Sequence, residues 1–127
     1  MELKDIISIS GKTGLYKIIA QTPKSMVAES IDAQKTKLPI HASHQVAMLS
    51  EITIYGASGE DIALKNVFEN IKTKDGENLS VTQKDSPEKI KEYFKEIAPG
   101  YDTGRVYISD MKKVLKWYEL LSSNKVL

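Results

Sequence analysis

The chain contains no cysteine, which rules out disulfides, thiolate metal sites and a thiol nucleophile together. Histidine is nearly as scarce, with only His41 and His44. Acyl-transfer chemistry built on a nucleophile, a base and an orienting group therefore has few parts to draw on, and no enzymatic activity is expected. No apolar run approaches the roughly 20 residues that cross a bilayer. An excess of one charge is also missing, since 18 Lys and Arg stand against 17 Asp and Glu. Residues 1–56 hold six lysines and five acids, and residues 57–127 hold eleven lysines, one arginine and twelve acids. Neither part is the polybasic domain that binds nucleic acid regardless of sequence. The start, Met1-Glu2-Leu3-Lys4-Asp5, is mixed rather than basic, and no small-residue cleavage site follows. A signal peptide is not expected. These absences suit a soluble cytoplasmic protein with no membrane association and no cofactor.

What is present points to a globular α+β chain. The 127 residues are 41% apolar and 28% charged, near the averages for folded domains. A lone unit of about 60 residues buries only about 60% of its unfolded surface. Two halves of this chain are therefore expected to pack on each other.

The apolar period changes near Gly56. Before it, Leu15–Ala20, Met26–Ile31, Thr36–Ile40 and Glu51–Tyr55 read as short strands, with turns at Thr22–Ser25 and Asp32–Lys35. Pro39 marks the third as an edge strand. Leu3, Ile6, Ile7 and Ile9 suit either a strand or a short helix. After Gly56 the period is helical. Ser58 and Asp61 resemble a capping box ahead of Leu64, Val67, Phe68 and Ile71, which share one face and end at Asp75-Gly76. Asp85-Ser86-Pro87-Glu88 starts a second helix with the stripe Ile90, Tyr93, Phe94, Ile97, stopped by Pro99-Gly100. Val106-Tyr107-Ile108 reads as a short strand that could return to the sheet. Ser109 reads as the cap of a third helix, whose apolar face from Met111 to Leu121 covers more than half its circumference. The expected fold is a small antiparallel β-sheet or SH3-like barrel over 1–56, followed over 57–127 by three helices with a short strand.

Several motifs invite a function. Gly11-Lys12-Thr13 echoes a phosphate-binding loop, but Ile6 stands where the first glycine belongs and a strand follows instead of a helix. Gly11 and Gly14 match the GxxG of KH domains, which sits between two helices. A tight turn with glycines at positive φ accounts for the same pattern. Asp102-Thr103-Gly104 spells the aspartic-protease tripeptide without its all-β context. His41 and His44 lack a third ligand, so no metal site is expected. Asn78-Leu79-Ser80 is a formal glycosylation sequon that means nothing without secretion. The richest region is Arg105 to Lys116, where Arg105, Lys112, Lys113 and Lys116 interleave with aromatics. Six of the nine aromatic residues lie from position 93 onward. Such a mixture can stack bases and hold phosphates, or form a protein hot spot, or simply be core beside a wet helix face.

At Ile9–Lys17, and again at Arg105–Lys113 with Trp117-Tyr118, the chain resembles a Bacteroidetes family in which an N-terminal domain of unknown function precedes a helical region. The resemblance implies a two-part bacterial protein and supplies no activity, ligand or catalytic residue.

Two expectations of function follow. The first is a non-enzymatic protein-interaction module with an unidentified protein partner or a second copy of the chain, using Trp117 and Leu121 as interface. The second is a nucleic-acid- or ribosome-associated protein that binds through Gly11, Lys12, Gly14, Arg105, Lys112, Lys113 and Lys116.

Overall fold

The structure is a computed structural model that describes residues 3–12, 14–32, 34–41, 44–76 and 78–124. Among these residues the chain forms seven strands and three α-helices. The first five strands are β1 (Ile6–Ile9), β2 (Tyr16–Gln21), β3 (Met26–Ser30), β4 (Lys37–Ile40) and β5 (Val46–Met48). They make one antiparallel sheet in the order β4-β3-β2-β1-β5. Residues 6–9 are thus a strand, and β4 with its Pro39 lies at a sheet edge, where a missing N–H costs least. A short 3₁₀ turn at Leu49–Glu51 leaves the sheet. Next come β6 (Thr53–Ile54) and β7 (Ile62–Ala63), then α1 (Leu64–Asp75), α2 (Pro87–Ile97) and α3 (Ile108–Ser123). The α+β class and the order of sheet before helices are as the periodicity implied.

Five details differ from the sequence reading. Strand β5 was not anticipated; it has three residues and no alternation long enough to recognise. Glu51–Tyr55 does not extend the main sheet, because only Thr53–Ile54 forms a paired strand and its partner is β7. Helix α1 starts at Leu64, not beside Ser58 and Asp61. The Leu64 N–H donates to the Ile52 carbonyl at 3.0 Å, so backbone just before β6 satisfies a donor that a side-chain cap would otherwise take. Val106–Ile108 is not a strand, and Ser109 is not a cap. The Val106 N–H turns back to the Asp102 carbonyl, Tyr107 is the extended cap residue, and Ile108 is already helical. Asp110 Oδ2 accepts the Tyr107 N–H at 3.1 Å, so the carboxylate three residues on satisfies that donor and β-propensity loses. The backbone pairing expected of 106–108 falls on Tyr101, which bridges to Gly56. There the Ala57 N–H reaches the Gly100 carbonyl and the Asp102 N–H reaches the Tyr55 carbonyl, both at 2.8 Å. Gly56 has no room for a side chain, since a Cβ would stand 2.0 Å from the Glu60 carbonyl oxygen.

Strand alternation sorts the core. Ile6 joins the main cluster under the helices, and Ile7 and Ile9 point to the opposite face of the sheet with Ala28. Leu3, Leu15, Ile31 and Leu49 from the sheet region share the main cluster with Phe68, Phe94, Leu115 and Tyr118. The predicted stripes of α1 and α2 are buried throughout. Ser86 caps α2 by accepting the Lys89 N–H, and Pro87 occupies its first turn. Asn70 Nδ2 donates to the Ile97 carbonyl at 2.8 Å, and the Tyr118 hydroxyl donates to the Gly76 carbonyl, tying the helices at their ends.

Asp75 closes α1 and anchors the segment that follows. Burial by itself would raise its carboxyl pKa. The Tyr93 hydroxyl and the N–H and hydroxyl of Ser80 bond the ionised form and hold it below the ordinary carboxylate value. Tyr93 is raised in turn, by burial first and then by the bond to Asp75. A folded-state value below the unfolded one stabilises the protein fully above pH ~4, and the gain is lost as pH falls from there through the folded value. Asp75→Asn is therefore expected to flatten the acid limb of a urea-midpoint titration between about pH 5 and pH 2. A limb as steep as the parent's would remove Asp75 as its source.

Candidate nucleic-acid interface

The loop from β1 to β2 turns on two glycines, Gly11 and Gly14, both at φ +84°. The Lys12 N–H bonds the Ile9 carbonyl at 3.0 Å. Only glycine holds this φ without strain, so the GxxG spacing is a hairpin device flanked by strands, not the helix-flanked loop of KH domains. The loop stands beside the first half of α3. Between them lies an open cleft of about 590 Å³.

The cleft exists because two small residues face α3. Ser8 of β1 and Ala47 of β5 are register partners, and both line it where larger side chains would fill the space. Across from them stand Lys112, Lys113, Lys116 and Trp117 of α3, while Gly11, Lys12 and Gly14 close one end. The Lys113 ammonium lies over the Trp117 ring, 5.9 Å from its centroid. Among the described residues lining the cleft there are four lysines and no carboxylate. Lys112 and Lys116, one turn apart, repel each other by about 0.2–0.5 kcal/mol in an isolated helix. Asp110 and Glu119 stand three residues from Lys113 and Lys116 on the helix, and neither carboxylate lines the cleft.

Six of the seven basic and glycine positions singled out in the sequence thus meet in one cleft. Arg105 does not. Its guanidinium pairs with Asp102 at 2.9 Å and lies over the Tyr55 ring at 4.5 Å. The Arg105 bond, with help from the Gly104 N–H, holds Asp102 below the ordinary carboxylate value, and Asp102 raises Arg105. The Asp102-Thr103-Gly104 tripeptide is accordingly an exposed turn stapled by its own arginine. Leu121 is fully buried in the main core, so it presents nothing to a partner in this fold; Trp117 is partly buried against that core. His44 Nδ1 accepts the His41 N–H at 2.9 Å, and the two rings stack at 5.5 Å. No group of three His, Asp or Glu gathers among the described residues. Sequence reasoning missed Ser8, Gln45 and Ala47 in the cleft wall. The signal of Ser8 and Ala47 is lack of bulk, which becomes visible only once the strand register is known; Gln45 carries no signal of its own.

Residues 52–121, more than half of the chain, match the domain of unknown function DUF6852. The chain belongs to the DUF6852 family. Residues 3–49 match a second domain of unknown function, DUF5606, so a DUF5606 region precedes the DUF6852 region as the resemblance implied. A solution NMR structure from Bacteroides vulgatus, a structural-genomics target, is 37% identical with a TM-score of 0.77 over 99% of this chain and 89% of that one. None of the curated proteins matches. Among the described residues no helix is long and apolar enough to cross a membrane. The cleft draws on both family regions, with the hairpin and β5 from DUF5606 and α3 from DUF6852.

Proposed function

We propose that this protein is a non-catalytic binding domain for single-stranded nucleic acid, with the lysine cleft as its binding surface. The observation that carries the reading is the meeting of Lys12 with Lys112, Lys113 and Lys116 around the indole of Trp117. These residues lie about a hundred positions apart in the chain and share a wall free of carboxylates among the described residues. Lysines that track phosphates and an aromatic face that takes an unpaired base are the two parts of single-strand recognition. The wide apolar face of α3, which suggested a protein partner, is largely used internally: Met111, Val114, Leu115, Tyr118 and Leu121 are buried in the protein's own core. It supports a partner protein less than the cleft supports a nucleic acid.

Trp117 is the only tryptophan, so its emission reports the cleft directly. Titration with a short single-stranded RNA is expected to change that emission, with a log–log salt slope of about −2 to −3 for three or four phosphate contacts. A flat salt response, or equal binding of duplex, would refute the assignment.

A further inference from the structure

Adjoining the lysine cleft is a second cavity of about 310 Å³. Ser8, Ala47, Lys113 and Trp117 line both spaces, so the indole and the small strand residues form a common wall. The chemistry on the two sides differs. The second cavity is walled by apolar residues such as Ile54, Val106 and Val114, with Tyr55, and sets a single carboxylate, Asp110, against a single lysine, Lys113. Tyr55 is held in place, because Arg105 lies over its ring and its carbonyl accepts the Asp102 N–H. Asp110 Oδ2 accepts the Tyr107 N–H, and among the described residues its other oxygen has no partner.

A carboxylate can only accept hydrogen bonds, so a ligand that meets it must bring donors. A largely apolar, aromatic-edged space with a few placed polar groups, here Ser8, Thr53, Asp110 and Lys113, is the usual form of a selective small pocket. Asp110 offsets the one lysine of this space, Lys113, so a phosphate is drawn to the cleft, where four lysines meet no carboxylate among the described residues. We infer that this cavity is a base pocket and that guanine is the base it takes, an inference that rests on the single-strand reading above. The Watson–Crick edge of guanine presents N1–H and N2–H side by side, two donors toward one carboxylate. Uracil offers one N–H between two carbonyl oxygens, and adenine and cytosine set an acceptor nitrogen beside their amino group. With the base beside Asp110, the sugar–phosphate chain passes Lys113, which borders both spaces, and enters the cleft.

The test uses short oligouridylates whose central residue is uracil, guanine, hypoxanthine or an abasic sugar, titrated against the full chain with Trp117 emission as readout. Guanine is expected to bind about tenfold more tightly than uracil, with hypoxanthine between them because it lacks one of the two donors. Asp110→Asn keeps an acceptor for the Tyr107 N–H and is expected to abolish the guanine preference while leaving the salt dependence in place. Ala47→Leu, which fills the common wall without changing charge, is expected to reduce the preference as well. Equal affinity for the guanine and abasic oligomers with the salt dependence intact would overturn the base pocket alone, as would a guanine preference that survives Asp110→Asn. Failure of every oligomer to bind would remove the single-strand reading along with it.

Discussion

Exchange of Lys112 and Lys116 together for glutamate is expected to weaken binding of a single-stranded oligonucleotide by at least about 25-fold at ~0.1 M salt. The figure comes from counterion release: each single-strand phosphate contact contributes a log–log slope of about 0.7, or a factor of about five at that salt concentration, and two contacts multiply. Reversal adds repulsion to the loss, so the figure is a lower bound. The salt slope itself should shallow by about 1.4. Lys112 is exposed and Lys116 half-buried on α3, so the fold must be checked alongside binding. An unchanged helical signal and melting temperature would show that any loss belongs to the surface. Full affinity in the double variant would place the ligand elsewhere.

The second large effect lies in the core. Phe94 is fully buried on α2, and its ring meets Tyr101 edge-on with centroids 5.1 Å apart. Phe94→Ala removes the buried ring and leaves a cavity, which costs about 3–5 kcal/mol. It also frees Tyr101, whose backbone bridges to Gly56. Domains of this size are stable by about 5–15 kcal/mol in total, so the variant is expected to be marginal. Its midpoint in a thermal scan should drop by roughly 10–20 °C. A drop of only a degree or two would mean that this ring is not in the centre of the core.

The helices were the most legible part of the sequence, because their signal is redundant. In α2 the stripe of Ile90, Tyr93, Phe94 and Ile97 agrees with Ser86 and Pro87 at one end and Pro99-Gly100 at the other. Helix starts failed where the capping group came from somewhere the local rule does not look. The first donor of α1 is taken by the carbonyl of Ile52, twelve residues earlier, and that of Tyr107 by the carboxylate of Asp110. Strand β5 failed because Val-Ala-Met is too short to show a period, and it is ordered by its pairing with β1. The site was legible only in pieces. Gly11, Lys12 and Gly14 form one basic turn and Lys112, Lys113 and Lys116 one basic helix face, but nothing in linear order says that they face each other. Arg105 was grouped with the lysines by nearness in sequence, and the fold gives it to Asp102 and Tyr55 instead.

The backbone stitch joining residues 55–57 to 100–102 has a consequence for how the molecule comes apart. A protease cut at Gly56 would leave one flap holding β6 and the other holding the strand it needs, with Leu64 robbed of its carbonyl acceptor. Neither product would inherit a complete interior, because Leu3, Leu15 and Leu49 share one cluster with the helices. Nicking there should therefore bring the whole molecule down in a single step, with no shedding of an intact helical fragment.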